Sequence, residues 1–169
     1  MYKRQLLERA VSQAPSGRER AEAMAGLARV LTVEGDQRRA VELAARALSE
    51  PDAGDAVRID AALGLAWGTL YLREDLDGGA RCAALAAELA ERSGNRTLLA
   101  NSLSALGVLE ALLGRAQAAA TLAAALAVHD VADLTRVIRS PEFDLSLFLI
   151  WTDRSACLLY TSPSPRDRS

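Results

Sequence analysis

The sequence predicts an all-α fold, an α-solenoid of antiparallel helix pairs, and three observations lead to it. A small residue preceded by a large apolar one recurs at Ala28, Gly68, Gly107 and Ser146, after Leu27, Trp67, Leu106 and Leu145, in steps of 40, 39 and 39 residues. A break follows each, at Gly35, Asp75, Gly114 and Asp153. Beyond it comes a second small column, Ala40, Ala80 and Ala119, with Ala44, Ala84 and Ala123 one turn later. Composition agrees: 50 % hydrophobic residues with only 4 % aromatic leave Ala, Leu and Val to build the core, which favours close helix packing over a sheet. Glycine inside a helix costs about 1 kcal/mol relative to alanine, so Gly68 in an apolar helical run predicts a second helix against its backbone. The phase sets Gly68 and Gly107 against the second helices of their own pairs, in a right-handed stack of seven or eight helices.

Taken in order, residues 6–14 form the end of a second helix, which Pro15 stops. Ser16-Gly17-Arg18-Glu19 has the form of a capping box and opens a helix to about Glu34. Gly35 supplies the left-handed residue that closes it, and Asp36 caps the next helix, which carries Ala40, Val41, Leu43, Ala44, Ala47 and Leu48 on one face until Pro51. Asp55 is placed to cap a helix through Ile59, Leu63, Trp67 and Tyr71 to about Arg73, and its partner reaches Ser93, closed by Gly94-Asn95. A third pair spans Thr97 to Leu113 and Ala116 to Val131. After a short turn or loop, Pro141 opens a fourth first helix, Phe143 to Thr152.

The two termini read differently. Met1-Tyr2-Lys3-Arg4-Gln5 resembles the translation of a transposase-type sequencing adapter, and residues 157–169, beginning Cys157-Leu158-Leu159-Tyr160, resemble the same adapter read on the other strand. Setting both aside leaves residues 6–156 as helical repeats truncated at both ends, with a disordered tail. Without Lys3, Arg4, Arg166 and Arg168 the 20 basic residues become 16, and without Asp167 the 22 acidic ones become 21, so the repeats carry net −5.

That charge excludes several function classes. Phosphate neutralisation needs clustered Lys or Arg, so no nucleic-acid contact is expected. No run of about 18 uncharged apolar residues spans a membrane, and a cytoplasmic location is expected. A phosphate-binding P-loop needs its lysine, and the only lysine is Lys3. Cys82 has no nearby histidine to activate it and reads as a small buried hydrophobe. His129, the only histidine, reads as the end of a helix rather than a base or ligand. Glu74-Asp75-Leu76-Asp77-Gly78-Gly79 alternates acids before glycine, but a calcium loop needs a closing glutamate, and a turn with helix caps explains Asp75 and Asp77. No catalytic, cofactor-binding or metal residue is assigned, and an enzyme is not expected.

The columns resemble the tetratricopeptide repeat, in the large-small pairs Trp67-Gly68 and Leu106-Gly107, the aromatic Tyr71, the turn glycines Gly35 and Gly114, and the alanines Ala40, Ala47, Ala80, Ala87 and Ala119. The period exceeds that motif's usual length of about 34. The long period, the Arg/Ala richness and the segment Arg139-Ser140-Pro141 to Trp151-Thr152-Asp153-Arg154 resemble the repeat region of large ATP-binding LuxR-type, MalT-related bacterial transcriptional regulators. That resemblance implies a nucleotide-binding module before the repeats and a helix-turn-helix after them, with the repeats as a sensor and scaffold; the alternative is a tetratricopeptide-type adaptor unrelated to transcription. In such a stack the first helices line the concave groove, and the phase brings Glu22, Arg29, Thr69, Arg73, Asn101 and Ser104 to it as candidate contacts for a protein or small effector. Gly26, Ala66 and Ala105 stand where a carboxylate clamp would need polar residues, so chaperone tails are not expected there. Leu145, Phe148, Leu149 and Trp151 leave an apolar open end, which predicts self-association through the truncated ends.

Overall fold

The computed structural model describes residues 2–14, 16–129 and 141–151. Among these there are eight helices and no strand: α1 (Tyr2–Gln13), α2 (Arg18–Glu34), α3 (Gln37–Ser49), α4 (Asp55–Leu72), α5 (Leu76–Arg92), α6 (Arg96–Leu112), α7 (Ala118–Val128) and α8 (Pro141–Trp151). Each helix from α1 to α8 packs on its neighbour in sequence. Contacts between next-but-one helices join α2 to α4, α4 to α6 and α6 to α8, whereas none of comparable extent joins α3 to α5 or α5 to α7. The first helices of the pairs therefore make a continuous layer and the second helices a splayed one, the arrangement of a helical repeat that buries each pair against the next. No described helix is long and apolar enough to cross a membrane.

Local chemistry sets the helix ends. Gly35 closes α2 at φ 90°, where a side chain is strained, and its N–H returns to Thr32 O. Asp36 caps α3 by accepting from Arg39 N, Asp75 caps α5 by accepting from Gly78 N, and Asn95 caps α6 by accepting from Leu98 N. The turn between α4 and α5 uses two non-glycine left-handed residues, Arg73 at φ 55° and Asp75 at φ 44°. Such conformations cost roughly 1–2 kcal/mol each, and here the Asp75 cap helps to hold them.

Two expected caps are built otherwise. The capping box at Ser16 does not form: Gly17 is the cap residue of α2, and its N–H donates 3.0 Å to Glu50 Oε2 at the end of α3. An acceptor from the end of α3 thus takes the cap N–H that the box would give to Glu19. Asp55 lies inside the first turn of α4, after Gly54, where the helix dipole favours a carboxylate and Arg92 of α5 sits 3.6 Å away. The helix drawn from Ala116 starts at Ala118. The expected segments at 130–140 and 152–169 lie outside the described residues, as does the turn at Asp153. α1 runs without a break through the boundary at residues 5 and 6.

The core is mostly alanine and leucine. One cluster joins Met24, Leu27, Leu31, Leu43, Ala44 and Ala47 between α2 and α3; another joins Ile59, Ala62, Ala66, Ala83, Leu89 and Leu109 across α4, α5 and α6. Leu48 packs against both, so the core is continuous along the stack. Of the first small column, Ala28, Gly68 and Gly107 are buried and Ser146 is half-buried. The second needs correction. Ala40, Ala44 and Ala80 are buried, but Ala84, Ala119 and Ala123 are exposed, and Ala83, Ala118 and Leu122 take the inner positions. One residue is a rotation of about 100°, so a one-residue drift in the period turns a side chain from core to water.

Candidate interaction surfaces

Pairs of the candidate groove residues fall on three first helices. Glu22 and Arg29 are two turns apart on one face of α2. Arg29 reaches across to α4, with Nη1 2.8 Å from Asp60 Oδ2, and Glu22 accepts from Arg18 Nε at 2.9 Å. Asn101 and Ser104 adjoin on α6. Ser104 is buried, and its hydroxyl donates 2.5 Å to Oδ2 of Asp144, itself buried on α8. The Asn101 amide nitrogen is buried with no hydrogen-bond partner among the described residues. Thr69 and Arg73 occupy the end of α4. Thr69 turns toward α5, its hydroxyl donating to Ala66 O at 2.9 Å and resting where a side chain on Gly79 would stand. Arg73 is the exposed left-handed residue that ends α4. The two members of each pair share a helix, and among the described residues no hydrogen bond or ion pair joins one pair to another. Ser104 and Thr69 are spent on contacts between helices, while Glu22, Arg29 and Arg73 remain open to solvent.

The splayed layer offers a different surface. Because α3 and α5 do not pack on each other, a cleft of about 510 Å³ opens between them with α4 as its floor. Leu65 and Leu72 of α4, Val41 of α3, and Cys82 and Leu85 of α5 line it, with Glu74, Asp75 and Arg81 at its lip. The corresponding cleft between α1 and α3, over Leu27 of α2, holds only about 170 Å³. There Glu8 of α1 lies 3.2 Å from Arg39 of α3, a bridge across the opening that α3 and α5 lack. The larger cleft falls within the range of small-molecule sites, roughly 300–1,000 Å³ and mostly apolar.

Cys82 takes the half-buried place expected of a small hydrophobe. Burial pushes its thiol above the ordinary range, Arg81 opposes that push and Asp75 adds to it, so the group is neutral at neutral pH and belongs to the apolar lining. His129 follows α7 as its C-terminal cap residue, its N–H returning to Ala125 O and Leu126 O. Among the described residues no three His, Cys, Asp or Glu side chains are grouped to hold a metal.

Sequence reasoning centred on the first helices and did not find this cleft. Its signal is faint: Val41, Leu65 and Leu85 are large apolar residues that lie off the small columns, in a part of the repeat where the pattern demands no contact. Comparison with protein-family models and with curated proteins finds no match.

Proposed function

We propose that the chain is a non-catalytic helical-repeat scaffold that mediates protein or effector interaction, as the sensor segment of a LuxR-type transcriptional regulator. The observation that carries the scaffold reading is the two-layer packing, in which continuous first helices leave the second helices apart and an open apolar cleft between them. Residue chemistry supports a binding role: Cys82 is held neutral and the buried acid Glu110 accepts from Thr121 and Gln117 within its own pair. The regulator assignment rests on the sequence resemblance, with Arg29 and Arg73 as solvent-open cations on the first-helix side.

Two experiments test this. The coding sequence on either side of the repeats should contain a P-loop upstream and a helix-turn-helix downstream; flanks lacking both leave the general adaptor. In the parent protein, Arg29→Ala and Arg73→Ala should blunt the effector response, and an intact response removes these residues from the site. The repeats alone should self-associate in concentration-dependent light scattering and should not bind duplex DNA; salt-sensitive DNA binding at micromolar concentration overturns the assignment.

A further inference from the structure

The charges around the α3/α5 cleft are unevenly satisfied. Glu74 Oε1 accepts from Arg38 Nη2 at 2.8 Å, and Asp75 Oδ1 accepts from the Gly78 N–H at 2.9 Å as the cap of α5. Arg81, on the α5 side of the same lip, has no hydrogen bond or ion pair among the described residues. Below it the walls offer little hydrogen bonding: Val41, Leu65, Leu72 and Leu85 are apolar, Cys82 is neutral, and the Thr69 hydroxyl has already given its proton to Ala66 O. An occupant that removes these walls from water must be mainly aliphatic, and the one charged group at the lip without a hydrogen-bond or ion-pair partner among the described residues is the Arg81 guanidinium.

We propose that the cleft between α3 and α5 binds a small amphiphilic carboxylate, its aliphatic chain on Leu65, Leu72 and Leu85 and its carboxylate on Arg81. Guanidinium and carboxylate match as a bidentate pair, the geometry arginine favours. A cationic amphiphile meets Arg81 with like charge and would have to compete with the α5 cap for Asp75 or with Arg38 for Glu74. A neutral alcohol gains the burial without the charge. A docked helix, about 10 Å across, needs more room over three turns than about 510 Å³ supplies. The inference rests on the effector-binding part of the proposed function and does not depend on the identity of the flanking domains.

Cys82 reports occupancy because it lines the cleft. In the Cys157→Ser chain it is the sole thiol, and its alkylation rate by iodoacetamide is followed against decanoate or decylamine below their micelle concentrations, or decanol below its solubility limit. Saturating decanoate should slow alkylation at least tenfold, with half-protection at a concentration about tenfold lower than for decanol or decylamine. Arg81→Gln should raise the decanoate half-point about tenfold and leave the decanol half-point in place; protection is taken as a ratio within each variant because Arg81 also lowers the thiol's pKa. Leu85→Trp, which fills the cleft, should slow alkylation without ligand and abolish the decanoate effect. Equal protection by decanoate and decanol, an Arg81→Gln half-point equal to the parent's, or no protection at all each overturns the proposal. Loss of helical circular dichroism with decanoate counts against it too. A negative result beside flanks that carry a P-loop and a helix-turn-helix removes the ligand class alone; a positive one beside unrelated flanks removes the regulator alone.

Discussion

Gly68 and Gly107 occupy the same column of the repeat, yet they receive side chains from opposite directions along the stack. A side chain on Gly107 would meet Leu122 of α7, its own pair's second helix, at 2.6 Å from Cγ and 3.2 Å from the backbone nitrogen. One on Gly68 would run into Cγ2 of Val41, which belongs to α3 of the preceding pair. The expectation that both glycines face their own partners is therefore met at Gly107 and corrected at Gly68. Within the α4–α5 pair the close approach is reversed, with Gly79 on the second helix making room for Thr69 of the first. The small column marks where a neighbour comes close without saying which neighbour. In a solenoid the interface within a pair and the interface between pairs are built alike, and a branched side chain such as Val41 decides which one closes on the glycine.

The largest effect should come from Gly107→Leu. Its obstacle includes a backbone atom, which no rotamer change moves, so α7 must shift as a unit. Overpacking typically costs about 1–3 kcal/mol and occasionally more, and we expect the upper end, a melting temperature lowered by roughly 6–12 °C for a chain of this size. A circular-dichroism melt like the parent's would show that Gly107 is not a close-packing point at all.

Next comes Gly68, where the obstacle is one side chain. Gly68→Leu should cost about 1–3 kcal/mol. Gly68→Ala should also destabilise, but in a Val41→Ala background it should change sign and stabilise by up to about 1 kcal/mol, the helix-propensity gain of alanine over glycine. The matching pair Gly107→Ala and Leu122→Ala should not show that reversal, because Leu122 N stays in place and a cavity is left behind. Equal coupling energies in the two cycles would erase the distinction between the columns.

These contrasts show what was legible in the sequence. Helix number, most boundaries and the first small column could be read because each rests on a local signal: Gly35 with Asp36, Asn95 before α6, Pro141 at the start of α8. At Ala119 and Ala123 the second column drifted because α7 is apolar but for Thr121. AAATLAAALAV has no polar face to fix its rotation, so nothing in that segment distinguishes Ala118 from Ala119. The Ser16 capping box looked complete but lost to Glu50, which only the folded stack brings near Gly17. The groove residues were placed by helical phase, which predicts a face but not a partner, and Ser104 proved to be committed to Asp144 forty residues away. Arg81 and its cleft arise where the second helices splay apart, and a gap between helices has no sequence pattern.

A smaller effect separates two caps. Asp75 accepts from Gly78 N at 2.9 Å and Asp36 from Arg39 N at 3.4 Å, so Asp75→Ala should cost about 1 kcal/mol and Asp36→Ala less. A side chain on Gly78 would displace the Asp75 carboxylate. Gly78→Ala should therefore remove the same cap, and the double variant should fall short of the sum of the singles in urea unfolding. Additivity would mean that Asp75 stabilises the turn by another route.

The smallest effect belongs to α1, where Leu7 and Val11 supply the apolar contact and exposed ion pairs supply the rest. Glu8 is held below the usual carboxylate range, first by the hydrogen bond from Arg4, which desolvation opposes, and then by the charges of Arg4 and Arg39. A depressed folded pKa contributes stability that is present above the unfolded value and lost as pH falls through the folded one. Acidification below the ordinary carboxylate range should therefore loosen α1 from α2 and α3. Carbon-13 NMR titration of the glutamate carboxyls reads this directly: Glu8 should titrate below the ordinary glutamate range, and Arg4→Ala should move its midpoint upward. A Glu8 midpoint unchanged by Arg4→Ala would place the attachment of α1 on Leu7 and Val11 alone.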